Sequence, residues 1–163
     1  MKPLKHGEGF TLIEVLIAII LIGVGILSLI SANGAFTQAN EAGLELSTAE
    51  FLIEQIRELT AVLPVIDPQS GTTTFGPEAS EILATYDDLD DLNNANFSPP
   101  INVDRNTLND LGAYTQQVTV ENVSPSNFEQ VVANHSSPFV RVTVKVLYNG
   151  TEISSTSWLR CRY

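Results

Sequence analysis

Residues 10–30 are uncharged and mostly apolar except at one position, Glu14. At about 1.5 Å rise per residue the run makes a helix of roughly 31 Å, which matches a bilayer hydrocarbon core of about 30 Å. A carboxylate at the centre of a span costs about 2.5–3.5 kcal/mol on insertion scales, and less near one end, so an acid placed here points to a function. Lys2, Lys5 and His6 precede the run, and by the positive-inside rule they leave the N-terminus cytoplasmic and send the remainder outward. A secretory signal peptide fits poorly, because its apolar core spans about 7–15 residues and ends at a small-residue cleavage site. A plain signal anchor fits the length and charge but leaves Gly9-Phe10 and Glu14 without a purpose.

Gly9-Phe10-Thr11-Leu12-Ile13-Glu14-Val15-Leu16-Ile17-Ala18 resembles the start of type IV pilins and type II secretion pseudopilins. The resemblance implies that a membrane prepilin peptidase removes residues 1–9 after Gly9 and that Phe10 becomes the N-methylated N-terminus. It also implies that Glu14 pairs with the terminal amine of a neighbouring subunit. The implied partners are other pilin subunits, the prepilin peptidase and an inner-membrane assembly platform. An amine and a carboxylate, each costly alone at low dielectric, neutralise each other when brought together, so subunit insertion would be favoured. The alternative stays open: Phe10 and Glu14 lie four apart, so the acid can pair with its own amine or favour the positive end of the helix dipole. Glu8 departs from the family pattern by diluting the positive charge of the leader. Glu-Val-Leu-Ile-Ala-Ile and Gly-Val-Gly-Ile in the helix are similar to minor pilins of the PilV and mannose-sensitive haemagglutinin (MshD-like) kind.

Charge narrows the partners further. The chain carries −11, and loss of Lys2, Lys5 and Glu8 with the leader takes it to −12. Such a surface repels phosphate backbones, so no direct nucleic-acid binding is expected. Cys161 is the only cysteine, which excludes an internal disulfide, departs from many pilins, and reads as a buried, inert thiol. His135 is the only histidine beyond the leader and reads as part of a solvated turn. With no glycine-rich phosphate loop and no paired cysteines, the chain is read as no enzyme.

Beyond the span, Ala42, Leu46, Ala49, Ile53 and Ile56 recur at steps of three and four, which predicts an amphipathic helix over 40–62 ended by Pro64. If this helix continues the span, Gly23 and Gly25 at the middle of the span and Asn33-Gly34 after it are the weak points of the long helix, with close helix packing in the membrane as the other reading of the two span glycines. Residues 114–123 and 139–148 alternate with period two, Asn149-Gly150 is a hairpin turn, and 151–162 returns as a strand. A valine face needs a cover, and the 40–62 helix supplies one. The fold class is therefore α+β: a long N-terminal helix on an antiparallel sheet of about three strands, the lollipop shape of pilins. The expected organisation is leader 1–9, membrane and assembly segment 10–33, amphipathic segment 34–63, acidic connecting region 64–113 and sheet 114–163.

Within the connecting region 78–83 reads as a possible short helix, and Asp87, Asp88, Asp90 and Asp91 crowd one turn. No cofactor is expected; hard cations such as calcium take six to eight oxygens, which makes calcium at this turn the alternative, although the glycine and glutamate positions of an EF-hand are not in register. A solvated turn with Asp and Asn caps is the other reading. The Asp-Asp-x-Asp-Asp stretch is also similar to one in minor pilins of the haemagglutinin group. The function expected from all this is a structural minor pilin subunit of a type IV pilus. A type II secretion pseudopilin and an uncleaved single-span binding protein are the alternatives.

Overall fold

The computed structural model describes residues 9–69, 71 and 73–162; Lys2, Lys5, His6 and Glu8 of the expected leader lie outside them. The chain divides into two compact units, Met1–Gly43 and Leu44–Tyr163, and helix α1, Leu12–Val62, passes through both.

In the first unit α1 buries no described side chain, and its isoleucines, leucines and valines are all exposed. By length and composition α1 is the one described helix able to cross a membrane. The helix runs unbroken through Gly23, Gly25 and Asn33-Gly34. A Cβ at any of these three glycines would meet no atom within 4 Å, so no contact within the chain requires glycine there.

In the second unit α1 turns one face inward. Ala49, Leu52, Ile53, Ile56 and Leu59 are buried, with Leu63 just beyond the last turn. These positions keep the three-and-four spacing of a one-sided helix. Ala42 and Leu46, expected in the same stripe, are exposed. The buried stripe therefore starts at Ala49, later than the periodicity indicates, and adds Leu52 and Leu59.

The sheet is antiparallel. It contains β1, Asn96–Phe97; β2, Tyr114–Ser124; β3, Asn127–Val131; β4, Phe139–Tyr148; and β5, Thr151–Cys161. Spatial order is β1-β2-β4-β5, with β3 folding back on the end of β2. Val118 faces Val144 and Val120 faces Val142, so the valines of two strands form one buried surface. Asn149 and Gly150, at φ 48° and 81°, form the β4–β5 turn, the positive pair that a type I′ hairpin requires. The sheet thus has two short strands more than the three expected. β1 is only two residues long and β3 is exposed at all five positions, so neither shows an apolar alternation to read.

Polar groups tie the layers together. Gln116 is fully buried on β2; its Nε2 donates to the carbonyls of Leu52 (2.8 Å) and Ile101 (3.2 Å), and its Oε1 accepts the Ile101 N–H (2.8 Å). Arg160 on β5 donates to the carbonyls of Thr60 and Leu63, serving a helix end whose last turn has no basic residue of its own. Arg57 stacks over Trp158 with its guanidinium 5.0 Å from the ring centroid.

Between α1 and β2 the chain is irregular, with 3-10 turns at Asp90–Leu92 and Asn109–Leu111. The stretch 78–83 is not helical. Glu81 Oε2 accepts the Glu78 N–H and Thr85 Oγ1 accepts the Ile82 N–H, so side chains close turns where helical carbonyls would have served. Two further expectations are corrected. Cys161 is exposed, because it alternates with the inward-facing Arg160 on an edge strand. The His135 side chain is only 13% exposed, its Nε2–H donates to the Thr74 carbonyl (2.7 Å), and its ring makes a T-shaped contact with Phe75.

Candidate functional site

Two places concentrate chemistry. The first is the start of α1. Gly9 and Phe10 lie before the helix, exposed, and a Cβ at Gly9 would meet nothing within 4 Å. Folding therefore places no demand for glycine at that position.

Glu14 belongs to a local motif. Its Oε2 accepts both the backbone N–H and the hydroxyl of Thr11, each at 2.8 Å, while Thr11 Oγ1 accepts the Glu14 N–H at 3.3 Å. This is a capping box, in which the N-cap Thr and the Glu three residues later satisfy two amides that the first helical turn leaves without partners. Thr11 is the residue the sequence reading passed over. The signal was present, since Thr-x-x-Glu ahead of an apolar run is a helix-start signature. Glu14 thus has a partner within its own chain that is neither the Phe10 amine nor the helix dipole alone.

The second place is the acidic turn. Asp88, Asp90 and Asp91 are 2%, 4% and 1% exposed, so the turn is buried rather than solvated. It rests on Leu89 and Leu92, both fully buried, and is bonded to its surroundings through Leu89 N–H to the Pro64 carbonyl (2.9 Å) and Val120 N–H to Asn93 Oδ1 (3.1 Å). Its carboxylates serve backbone amides: Asp88 Oδ1 accepts from Asp90 and Asp91, Asp91 Oδ2 from Asp87 and Asp88, and Asp90 Oδ1 from Gly76.

Two sets of carboxylates converge, each with ligand atoms within 4.8 Å of one another: Asp88, Asp90 and Asp91, and Glu78, Glu81 and Asp91. Asp87, the fourth acid of the sequence motif, is in neither set and accepts from Gln69 Nε2 at 3.0 Å. Glu78 and Glu81 carry no sequence signal, because only the folded loop brings them to Asp91.

Crowding shifts these groups upward. Burial, then the charge of Asp90, pushes Asp88 up to about 7; burial above all pushes Asp90 up to about 6, partly offset by the Gly76 amide. Burial likewise pushes Glu81 up to about 7, with the Asp91 charge adding to it. The Tyr86 hydroxyl is raised by burial and by the charges of Asp91 and Glu81.

Comparison with curated proteins and with solved structures finds no match. Residues 4–30 match the family described as the prokaryotic N-terminal methylation motif. The match covers the Gly9-Phe10 junction, Glu14 and the apolar run. This chain therefore carries a motif that, ahead of an unburied apolar helix and an α+β sheet domain, supports a type IV pilin-like or pseudopilin precursor anchored in a membrane.

Proposed function

We propose that this protein is a minor pilin. Prepilin peptidase cuts it between Gly9 and Phe10, Phe10 is N-methylated, and the first part of α1 carries it from the inner membrane into a type IV pilus. The observation that carries the reading is the methylation motif at 4–30 set directly before a membrane-length helix whose apolar side chains find no cover within the chain. Such a surface requires lipid, other helices, or each in turn. Gly9 supports the cleavage, since a residue that folding leaves free to vary is available to meet a peptidase. In the precursor the N-terminus is cytoplasmic and the sheet domain periplasmic, as Lys2 and Lys5 direct.

Glu14 would act through charge, pairing with the methylated amine of a neighbouring subunit, with the capping box holding it ready. Two variants separate charge from cap. Glu14→Gln keeps an acceptor for the Thr11 amide and removes the charge, whereas Glu14→Ala removes both. Both are expected to insert and be cleaved, and both to fall in sheared filaments. Wild-type recovery of Glu14→Gln would leave the residue only its capping role. Mass spectrometry of the membrane-extracted protein tests the processing: residues 1–9 absent and one methyl group on Phe10. An intact Met1 chain would instead favour the single-span anchored protein. A type II secretion pseudopilin shares every N-terminal feature, and deletion of the chain separates the two through loss of pili or loss of secretion.

A further inference from the structure

We infer that Asp91, where the set Glu78 and Glu81 meets the set Asp88 and Asp90, is the centre of a calcium site that fastens the acidic connecting region to the sheet domain. The site is independent of the filament reading.

Burial without a counter-charge is the first argument. Asp88, Asp90 and Asp91 are buried beside one another, with Glu78 and Glu81 half-buried next to Asp91, and carboxylates so placed are costly unless a cation or protons join them. Among the described residues, no Lys or Arg pairs with Asp88, Asp90, Asp91 or Glu81. Arg105, which serves this loop, places Nη1 and Nη2 on the carbonyls of Leu83, Ala84 and Tyr86. His135 Nε2 stands 3.8 Å from Asp90 Oδ2 and donates to the Thr74 carbonyl, and Arg162 lines the same cavity as Asp90 without an ion pair to it.

The second argument is a specific atom. Asp91 Oδ2 is held by two backbone amides, but its Oδ1 is buried and lacks any hydrogen-bond donor. Asp91 is also the one residue common to both converging carboxylate sets. A buried oxygen without a donor, on a carboxylate that belongs to both sets and whose other oxygen is fixed by amides, is suited to bind a metal. Asp90 Oδ2 is a second buried oxygen without a donor.

Donor chemistry selects the ion. Every contributing side chain offers oxygen, with no thiolate and with the nearby imidazole already hydrogen-bonded, which disfavours zinc and its relatives. Carboxylates at uneven spacing on a 3-10 turn suit the flexible six- to eight-fold shell of calcium better than the strict octahedron of magnesium. An open groove of about 460 Å³, lined by Glu78, Glu81, Asp67 and Asp87 among others, offers a path for the ion and an acidic field that draws it in.

The test uses the full chain in detergent micelles, stripped with EDTA and melted across a CaCl₂ titration. Calcium is expected to raise the midpoint, with the unfolding constant falling about 100-fold when the ion is at 100 times its Kd, and with one ion bound per chain. Glu81→Gln and Asp91→Asn, which keep acceptors for the Glu78 amide and for the Asp87 and Asp88 amides, are expected to fold and to lose that shift. Asp110→Asn, on an exposed turn, is expected to keep it. Terbium excited through Tyr86 gives a readout that needs no unfolding, and CaCl₂ should displace its luminescence. No midpoint shift at several millimolar calcium would overturn the site. So would an equal shift in wild type and Glu81→Gln, which is mere surface screening, or terbium luminescence that calcium fails to displace.

Discussion

Glu14 and Gln116 show how differently a single polar residue can matter. Glu14 is exposed and its hydrogen bonds are local, so it contributes little to the fold beyond starting a helix; its charge is free for use by another molecule. Gln116 faces inward and is spent entirely on the fold, joining the Leu52 carbonyl of α1, both backbone groups of Ile101 and strand β2. Gln116→Ala leaves the buried Ile101 N–H without an acceptor and is expected to cost about 1–3 kcal/mol for that group, with a further loss for the space left behind. Urea unfolding followed by the sheet's circular dichroism measures it; a cost near zero would mean that water replaces the side chain without loss. The alternation of 114–120 placed Gln116 on the apolar face, yet no sequence pattern says which carbonyls a buried amide will find. Thr11 was legible and overlooked, whereas Glu81 was not legible at all.

Elements were read best where a short-range period governs them. Strands β2, β4 and β5 follow from period-two valines and an Asn-Gly turn, because a sheet with one buried face enforces alternation along each strand. The hairpin turn yields a direct test: at φ 81°, Gly150→Ala puts a Cβ into the left-handed region and is expected to destabilise by about 1 kcal/mol, read as a lowered melting midpoint. The end of α1 was marked by Pro64, but its cap comes from far along the chain. Arg160→Met keeps much of the aliphatic stem and strips the donors from the Thr60 and Leu63 carbonyls, with an expected loss of about 1–2 kcal/mol. Hydrogen exchange should locate that loss in the last turn of α1; uniform loss across the sheet would point to packing instead. The two short strands and the turns of 78–85 were invisible to periodicity, since exposure at every position, or side-chain bonds within three residues, leaves no period behind.

At the scale of the molecule, the acidic turn couples stability to solution conditions. Asp88, Asp90 and Glu81 are raised in the folded chain above their ordinary values near 4, so in EDTA the folded state binds protons more readily than the unfolded one. Their contribution is fully present below about pH 4 and is lost as pH rises through about 6 to 7. The groups facing them are Asp91, Glu78, Tyr86, His135 and Arg162, which lines the same cavity as Asp90; of these only His135 and Arg162 can supply a positive charge. The midpoint of the stripped protein is therefore expected to fall between pH 5 and pH 8, and calcium to restore it most at the alkaline end, where it no longer competes with protons. A pH-independent midpoint in EDTA would show that the carboxylates are solvated after all. The sequence by itself determined the membrane-length helix, the methylation motif, the α+β class and the three long strands, because each is written in neighbours along the chain. Only the tertiary structure decided that the acidic turn is buried, that Glu78 and Glu81 join it while Asp87 turns to Gln69, that Cys161 is exposed, and that Arg160 and Gln116 lock the helix to the sheet. Those outcomes depend on which distant surfaces meet, and burial, the quantity that turns three of the four aspartates from a solvated run into a buried cluster, exists only once they have met.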